Sequence, residues 1–340
     1  MFKIYVILFT LSIILILNFI ALKKSLLIDK KFNSHKSFVT PNLIPITGGI
    51  VLLFSCLLFL SLENQYFKIF LFLIFFIGLL SDTNYLFSPL KRFLLQTLIV
   101  LIFIYINQTL INSVRIPMID NLIENIYFKY FFTLFCFLVL INGANFIDGV
   151  NTLLLGYFLS LLVVCFLVVK KLDLSLNIQN YELLIIVTSI IFIYNFFGKL
   201  LSGDGGAYLI SFISGSFLIE FVNLTISVSP YFVACLLWYP AYECLFSIIR
   251  KKIAKKSVTD PDNQHLHQLI FIYIKSNTNL SGNYLNTITG LIINFFNILI
   301  FYGAYQNISQ TKNLVMLIFI SLIFYNFSYF FLKKRIKIKS

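Results

Sequence analysis

Residues 127–151 read YFKYFFTLFCFLVLINGANFIDGVN, a run with one early cation, Lys129, and no further charge until Asp148. Crossing a hydrocarbon core of about 30 Å takes about 20 helical residues, and backbone groups in lipid must be bonded internally. The stretch therefore predicts a membrane helix over 127–144 that ends in a polar tail. In that tail Asn142, Asn145, Asp148 and Asn151 recur every three residues, which on a helix or helical turn puts amides and a carboxylate on one face. The asparagines alone are equally compatible with hydrogen bonds between helices. Asp148 tips the reading towards a site, because a carboxylate is costlier to leave unpaired.

Ten more runs of this kind lie near 3–22, 44–62, 66–81, 93–110, 152–169, 182–198, 206–223, 229–249, 284–304 and 312–332. The third and seventh of the eleven are short. The composition agrees: 59% of the 340 residues are apolar, 18% aromatic and 11% charged, with a mean hydropathy of +0.93. Soluble domains carry about 25% charged residues, so a water-soluble fold is excluded. The expected fold is all-α and polytopic, with about 11 transmembrane helices in one membrane-embedded domain over 1–340.

The net charge of +13 would suit nucleic acid if the cations were clustered on a soluble surface, but they sit between the apolar runs. With the N-terminus outside, 19 of the 26 Lys and Arg fall in the connections about 23–43, 82–92, 145–151, 199–205 and 250–283 or in the C-terminal tail. That asymmetry predicts an N-out, C-in orientation with those connections in the cytoplasm. The basic tail and Arg250–Lys256 then serve as topological anchors, and no nucleic-acid partner is expected. The first run, followed by Lys23 and Lys24, is too long for a cleaved signal peptide. The five cysteines show no CxxC pair and read as small buried hydrophobes.

An ionised carboxylate near hydrocarbon costs at least a few kcal/mol. Asp82 in GLLSD, Asp148 in NGANFIDG and Asp204 in SGDGGAY all land on the predicted cytoplasmic side. Gly203, Gly205 and Gly206 let backbone approach a phosphate, and the following helix is expected to offer free N–H groups to an anion. The last inside loop, RKKIAKKSVTDPDNQHLHQLIF, pairs His265 with His267 two residues apart, a poor spacing for zinc but suited to phosphate oxygens.

These pieces, in this order, resemble the polyprenyl-phosphate sugar-1-phosphate transferases, of glycosyltransferase family 4 type. The family includes the bacterial phospho-MurNAc-pentapeptide translocase and the undecaprenyl-phosphate GlcNAc-1-phosphate transferase. DKKFNSHKSF with Pro45-Ile46-Thr47-Gly48-Gly49 is similar to the family's first inside loop. GLLSD is similar to Gly-x-x-Asp-Asp, NGANFIDG to Asn-x-x-Asn-x-x-Asp-Gly, SGDGGAY to Gly-Asp-x-Gly, and DNQHLHQL to His-x-His-His. The resemblance implies transfer of a HexNAc-1-phosphate, most simply of GlcNAc type, from a UDP-sugar to undecaprenyl phosphate. UMP would be released, Mg²⁺ would be the cofactor, and cell-surface polysaccharide or cell-wall synthesis would begin at the cytoplasmic face of a bacterial plasma membrane.

By the same resemblance Asp204 is the Mg²⁺ ligand, and Asp148 and Asn145 lie on the nucleotide or metal side. Asp82 acts near the lipid phosphate, Lys91 and Arg92 hold that phosphate, and His265 and His267 hold the diphosphate. Lys36 and Lys199 join as weaker candidates, and a homodimer stays open. Ser81 stands where the family's first Asp belongs, Gln268 where its third loop His belongs, and Asn151-Thr152 where Asp-Gly is usual. A phosphate monoester has a second pKa of about 6, so the acceptor is mostly dianionic at neutral pH and an active member is expected despite Ser81. The competing classes are the peptidoglycan translocase, a catalytically silent relative, a secondary transporter, which would put its carboxylates near mid-bilayer, and an assembly scaffold, which would not need GDGG.

Overall fold

The computed structural model describes residues 1–28, 43–61, 66–174, 176–257, 263–280 and 282–339. Its helices are α1 (Phe2–Lys24), α2 (Gly48–Phe59), α3 (Tyr66–Asp82), α4 (Pro89–Asn107), α5 (Pro117–Ile123), α6 (Ile126–Ile147) and α7 (Leu153–Lys171), followed by α8 (Ile178–Phe196), α9 (Gly203–Leu224), α10 (Pro230–Ile253), α11 (Leu266–Lys275), α12 (Gly282–Gln306) and α13 (Thr311–Lys339). No β-strand is formed among the described residues beyond a single bridge between Ile28 and Pro45.

Each of the eleven apolar runs becomes a helix, and nine helices among the described residues are long and apolar enough to cross a bilayer. The second and third runs give the short ones, α2 with 12 residues and α3 with 17. The seventh run, expected to be short, forms the 19-residue α8. Two further helices, α5 and α11, lie in polar connections that the hydropathy reading treats as loops.

Helix starts follow local chemistry. Ser88 and Ser229 accept from Lys91 and Tyr231 backbone N–H groups and are each followed by Pro at the first helical position, while Asn125 and Asn177 cap α6 and α8. Part of the phenylalanine excess is core: the fully buried Phe103 ring packs at 4.7–5.9 Å on Phe67, Phe70, Phe137 and Phe212 from α3, α6 and α9. Much of the rest, including Phe19, Phe295, Phe319 and Phe327, stands exposed on the outside, as a lipid-facing belt requires.

Hydrogen bonds define two ends of the bundle. One end joins Lys3 to Glu182, Ser61 to Asn180, Asn223 to Leu110, Arg115 to Ile226 and Ser229 to Thr311. The other joins Gly48 to Leu201, Asp82 to Asp204, Thr152 to Asn195 and Thr287, and Arg250 through Gln264 to Lys333. Every described candidate site residue lies at or near this second end.

Candidate functional site

Three segments converge around Asp204. Gly78 of α3 crosses Gly205 of α9 so closely that a Cβ on Gly78 would overlap the Gly205 backbone. That contact brings the C-terminal end of α3, with Ser81 and Asp82, against the first turn of α9. The Pro45–Gly49 segment braces the same loop: Leu201 N–H donates to Pro45 at 2.9 Å, and Gly48 and Gly49 N–H groups donate to Leu201 and Ser202 at 3.0 and 3.1 Å. Gly203 adopts φ +70°, and a Cβ there would lie 2.5 Å from an Asp82 carboxylate oxygen, so its position has no room for a side chain.

The expectation that the first N–H groups of this helix are free for an anion is corrected. Asp82 takes them, Oδ1 accepting from Asp204 N–H at 2.9 Å and Oδ2 from Gly205 N–H at 3.2 Å. Ser202, the local N-cap residue, makes no side-chain cap bond, and a carboxylate from α3 fills that role from across the helix pair. A negative charge at a helix N-terminus is also favoured by the helix dipole.

Asp204 points its Oδ2 at two donors. Ser81 Oγ donates at 2.6 Å and Arg92 Nη1 at 2.9 Å, and Arg92 also donates to Ser81 Oγ. The Arg92 and Asp204 side chains keep 23% and 20% of their surface exposed, so the pair is reachable by solvent and solutes. Serine at 81 has a physical reading here. An Asp in its place would set two carboxylates on one small site, which demands a shared proton or a bound cation.

A second group lies round the tail of α6. The helix ends at Ile147, with Asp148 as its C-cap, so the expected three-residue face is not continued to Asp148 and Asn151. Asn142 turns aside to donate to Gln96 of α4 at 3.2 Å. Gln96 lies one helical turn after Arg92 and beside Tyr208 of α9, which links the neighbourhoods of the two groups. The Asn145 and Asn151 side-chain amides are buried without a hydrogen-bond partner on nitrogen, a donor arrangement a polar ligand could satisfy.

The histidine loop docks on this group. A Cβ on Gly149 would overlap His267 Nε2, so the glycine after Asp148 makes room for that ring. His265 and His267, two residues apart in sequence, stack with ring centroids 5.7 Å apart and planes 7° from parallel. They do so because His265 precedes α11 as its N-cap while His267 lies inside it. Gln268, in the third histidine's place, accepts the His265 backbone N–H at 3.0 Å and so caps α11.

Sequence reading missed Glu243, whose carboxylate is 1% exposed and bonds His265 Nδ1 at 2.8 Å and Tyr325 Oη at 2.6 Å. Its signal was a lone acid inside an apolar run, YPAYECLFS, passed over because it carries no neighbouring glycine or amide. Lys91 and Lys199 are exposed at this end. Lys36, with Asp260 and Asp262, lies outside the described residues. Among the described residues no three His, Cys, Asp or Glu form a metal cage.

A bundle of this kind, with glycine-built carboxylate turns and a paired-histidine loop at one end, defines a polytopic membrane protein with a charged and polar cluster at that end. Residues 64–222 match the model of glycosyl transferase family 4. They hold the GLLSD, NGANFIDG and SGDGGAY segments. Over 209 residues the chain is 29% identical to a Bacillus subtilis (strain 168) protein named "Probable undecaprenyl-phosphate N-acetylglucosaminyl 1-phosphate transferase". The match takes in 59% of this chain and 56% of that protein's length. Over residues 64–222, and in the order of its motifs, the chain is similar to glycosyl transferase family 4.

Proposed function

We propose that this protein transfers a HexNAc-1-phosphate, of GlcNAc type, from a UDP-sugar to undecaprenyl phosphate with release of UMP. The name of the Bacillus relative and the family match support the class of reaction. The observation that carries it is the convergence of Arg92, Ser81, Asp82 and Asp204 with the Asp148 and histidine segments at one end of an otherwise apolar bundle. A transporter would hold its carboxylates near the middle of the bilayer.

In this reading an oxygen of the lipid phosphate attacks the β-phosphorus of the donor. The bond from that phosphorus to the oxygen bridging to the α-phosphorus breaks, and UMP leaves with the electron pair. Phosphoryl transfer of this kind depends chiefly on positioning and charge neutralisation. Arg92 supplies a fork for phosphate oxygens, and the stacked histidines face the donor diphosphate. Both Asp82 oxygens are engaged by backbone N–H groups, which favours direct attack over a covalent aspartyl intermediate there.

Mg²⁺ suits a site with one reachable carboxylate, since it binds through one or two carboxylates plus substrate phosphates and water. Asp204 would hold it, and when bound it would neutralise diphosphate charge. We place the reaction on the cytoplasmic face of the bacterial plasma membrane, from the Lys and Arg asymmetry, at the start of cell-surface polysaccharide or cell-wall synthesis. The test is incubation of purified protein with undecaprenyl phosphate, Mg²⁺ and a panel of UDP-sugars, following UMP. Turnover with UDP-GlcNAc above the other sugars is expected, and no turnover with any of them overturns the reading.

A further inference from the structure

We propose that Glu243, held by Tyr325, is the positioning residue that presents His265 to the diphosphate of the sugar nucleotide. The proposal rests on the reading of this end as a UDP-sugar site. It goes beyond that reading by giving a working role to a buried acid inside a membrane helix. A carboxylate within a membrane span is costly unless it is paired and hydrogen-bonded. Here Glu243 has both: His265 Nδ1 lies 2.8 Å from Oε1, and Tyr325 Oη donates to Oε2 at 2.6 Å. Glu243 and Tyr325 come from α10 and α13 and are essentially closed to solvent, and His265, 7% exposed, lies at the head of α11.

The arrangement fixes a ring rather than merely a loop. Phe146 covers His265 with centroids 5.2 Å apart, and His267 stacks on it, so the imidazole plane is set from both packing and hydrogen bonding. With Nδ1 committed to the carboxylate, Nε2 is the ring atom left to meet a ligand. A carboxylate on the far nitrogen orients the ring, so that Nε2, when it carries a proton, can donate to a phosphate oxygen.

The test uses the full-length protein in detergent or nanodiscs, with UMP release at varied UDP-GlcNAc and varied undecaprenyl phosphate, and UDP binding by calorimetry. Glu243→Gln keeps the shape and a hydrogen-bond acceptor but removes the charge. It is expected to raise KM for the sugar nucleotide and Kd for UDP about tenfold or more, the scale of a hydrogen bond to a charged group. KM for the lipid should stay within twofold. Glu243→Asp should recover part of the loss, and Tyr325→Phe should produce a smaller shift in the same direction. A Glu243→Gln protein that melts earlier yet keeps the wild-type KM and Kd reduces the residue to a structural anchor and overturns the proposal. If the unaltered protein neither turns over a UDP-sugar nor binds UDP, the functional reading itself fails, and the proposal with it.

Discussion

Asp204 and Glu243 are both carboxylates paired with a basic side chain at the same end of the bundle, yet they are built in opposite ways. Asp204 sits in a glycine-lined turn, keeps a fifth of its side-chain surface open, and shares its oxygen with an arginine and a serine. Glu243 is walled in by α10, α11 and α13, with one histidine and one tyrosine on separate oxygens. An open pair is screened and exchangeable, since ion pairs near water contribute about 0–1 kcal/mol. A closed pair is held, because removing either partner strands a buried charge. On the proposed function, the difference separates a carboxylate placed to trade its partner for a ligand from one placed to keep its partner still.

Removing the exchangeable charge gives the largest expected effect on turnover. Asp204→Asn should lower UMP release about a hundredfold or more while the protein inserts and purifies normally, the scale of losing a preorganised charged group. Turnover within a few-fold of wild type would take Asp204 out of the site and erase the contrast with Glu243.

The contrast also depends on α3 and α9 touching. Gly78→Ala places a methyl group into the Gly205 backbone, so the helices must part. Overpacking of this kind costs about 1–3 kcal/mol. The measurement is thermal unfolding of the purified protein, where a lowered midpoint is expected together with reduced turnover, because Asp82 can then no longer cap α9. An unchanged midpoint would mean that the crossing is looser than its geometry.

Much of this was legible beforehand, for reasons that can be located in particular residues. Bilayer spans declare themselves by length, so all eleven apolar runs became helices; α2 came out shorter because the start of that run is extended, Pro45 accepting from Leu201 and Ile46 donating to Leu27. Asp204 was legible because glycines flank it. Glu243 was not, because its partners come from elements 22 and 82 residues away in sequence. The capping role of Asp82 was hidden for the same reason: a cap supplied from 122 residues away leaves no local pattern. Hydropathy also passes over α5 and α11, since helices of 7 and 10 residues are too short to register as spans.

Ser81 sharpens the comparison from the other side. If charge neutralisation by Arg92 and a dianionic acceptor are what matter, restoring the second carboxylate with Ser81→Asp should change turnover less than about threefold at neutral pH, given a phosphate pKa of about 6. The substitution crowds Asp204 with a like charge and removes the hydroxyl that now bridges it to Arg92. A hundredfold gain would show that the absent acid is a catalytic group, and that the open pair is an impaired version of something stronger.

The smallest effect is expected at Thr152, where this chain departs from glycine. Its φ of +69° is a left-handed conformation that a β-branched residue adopts at a cost of about 1–2 kcal/mol. Three neighbours impose it: Thr152 N–H donates to Asn195 at 2.6 Å, its carbonyl accepts from Asn294 at 2.8 Å, and its hydroxyl lies 3.1 Å from the Thr287 carbonyl. Thr152→Gly keeps both backbone bonds, relieves the strain, loses the hydroxyl bond of about 0.5–1.5 kcal/mol and frees the unfolded chain by about 0.5–1 kcal/mol. These oppose one another closely enough that the unfolding midpoint and KM should both stay near wild type. Asn195→Ala, which strips the acceptor from the buried Thr152 N–H, should lower the midpoint distinctly more. If instead Thr152→Gly is the more damaging of the two, the hydroxyl rather than the backbone holds the Asp148 turn against α8 and α12, and the strained conformation is its consequence.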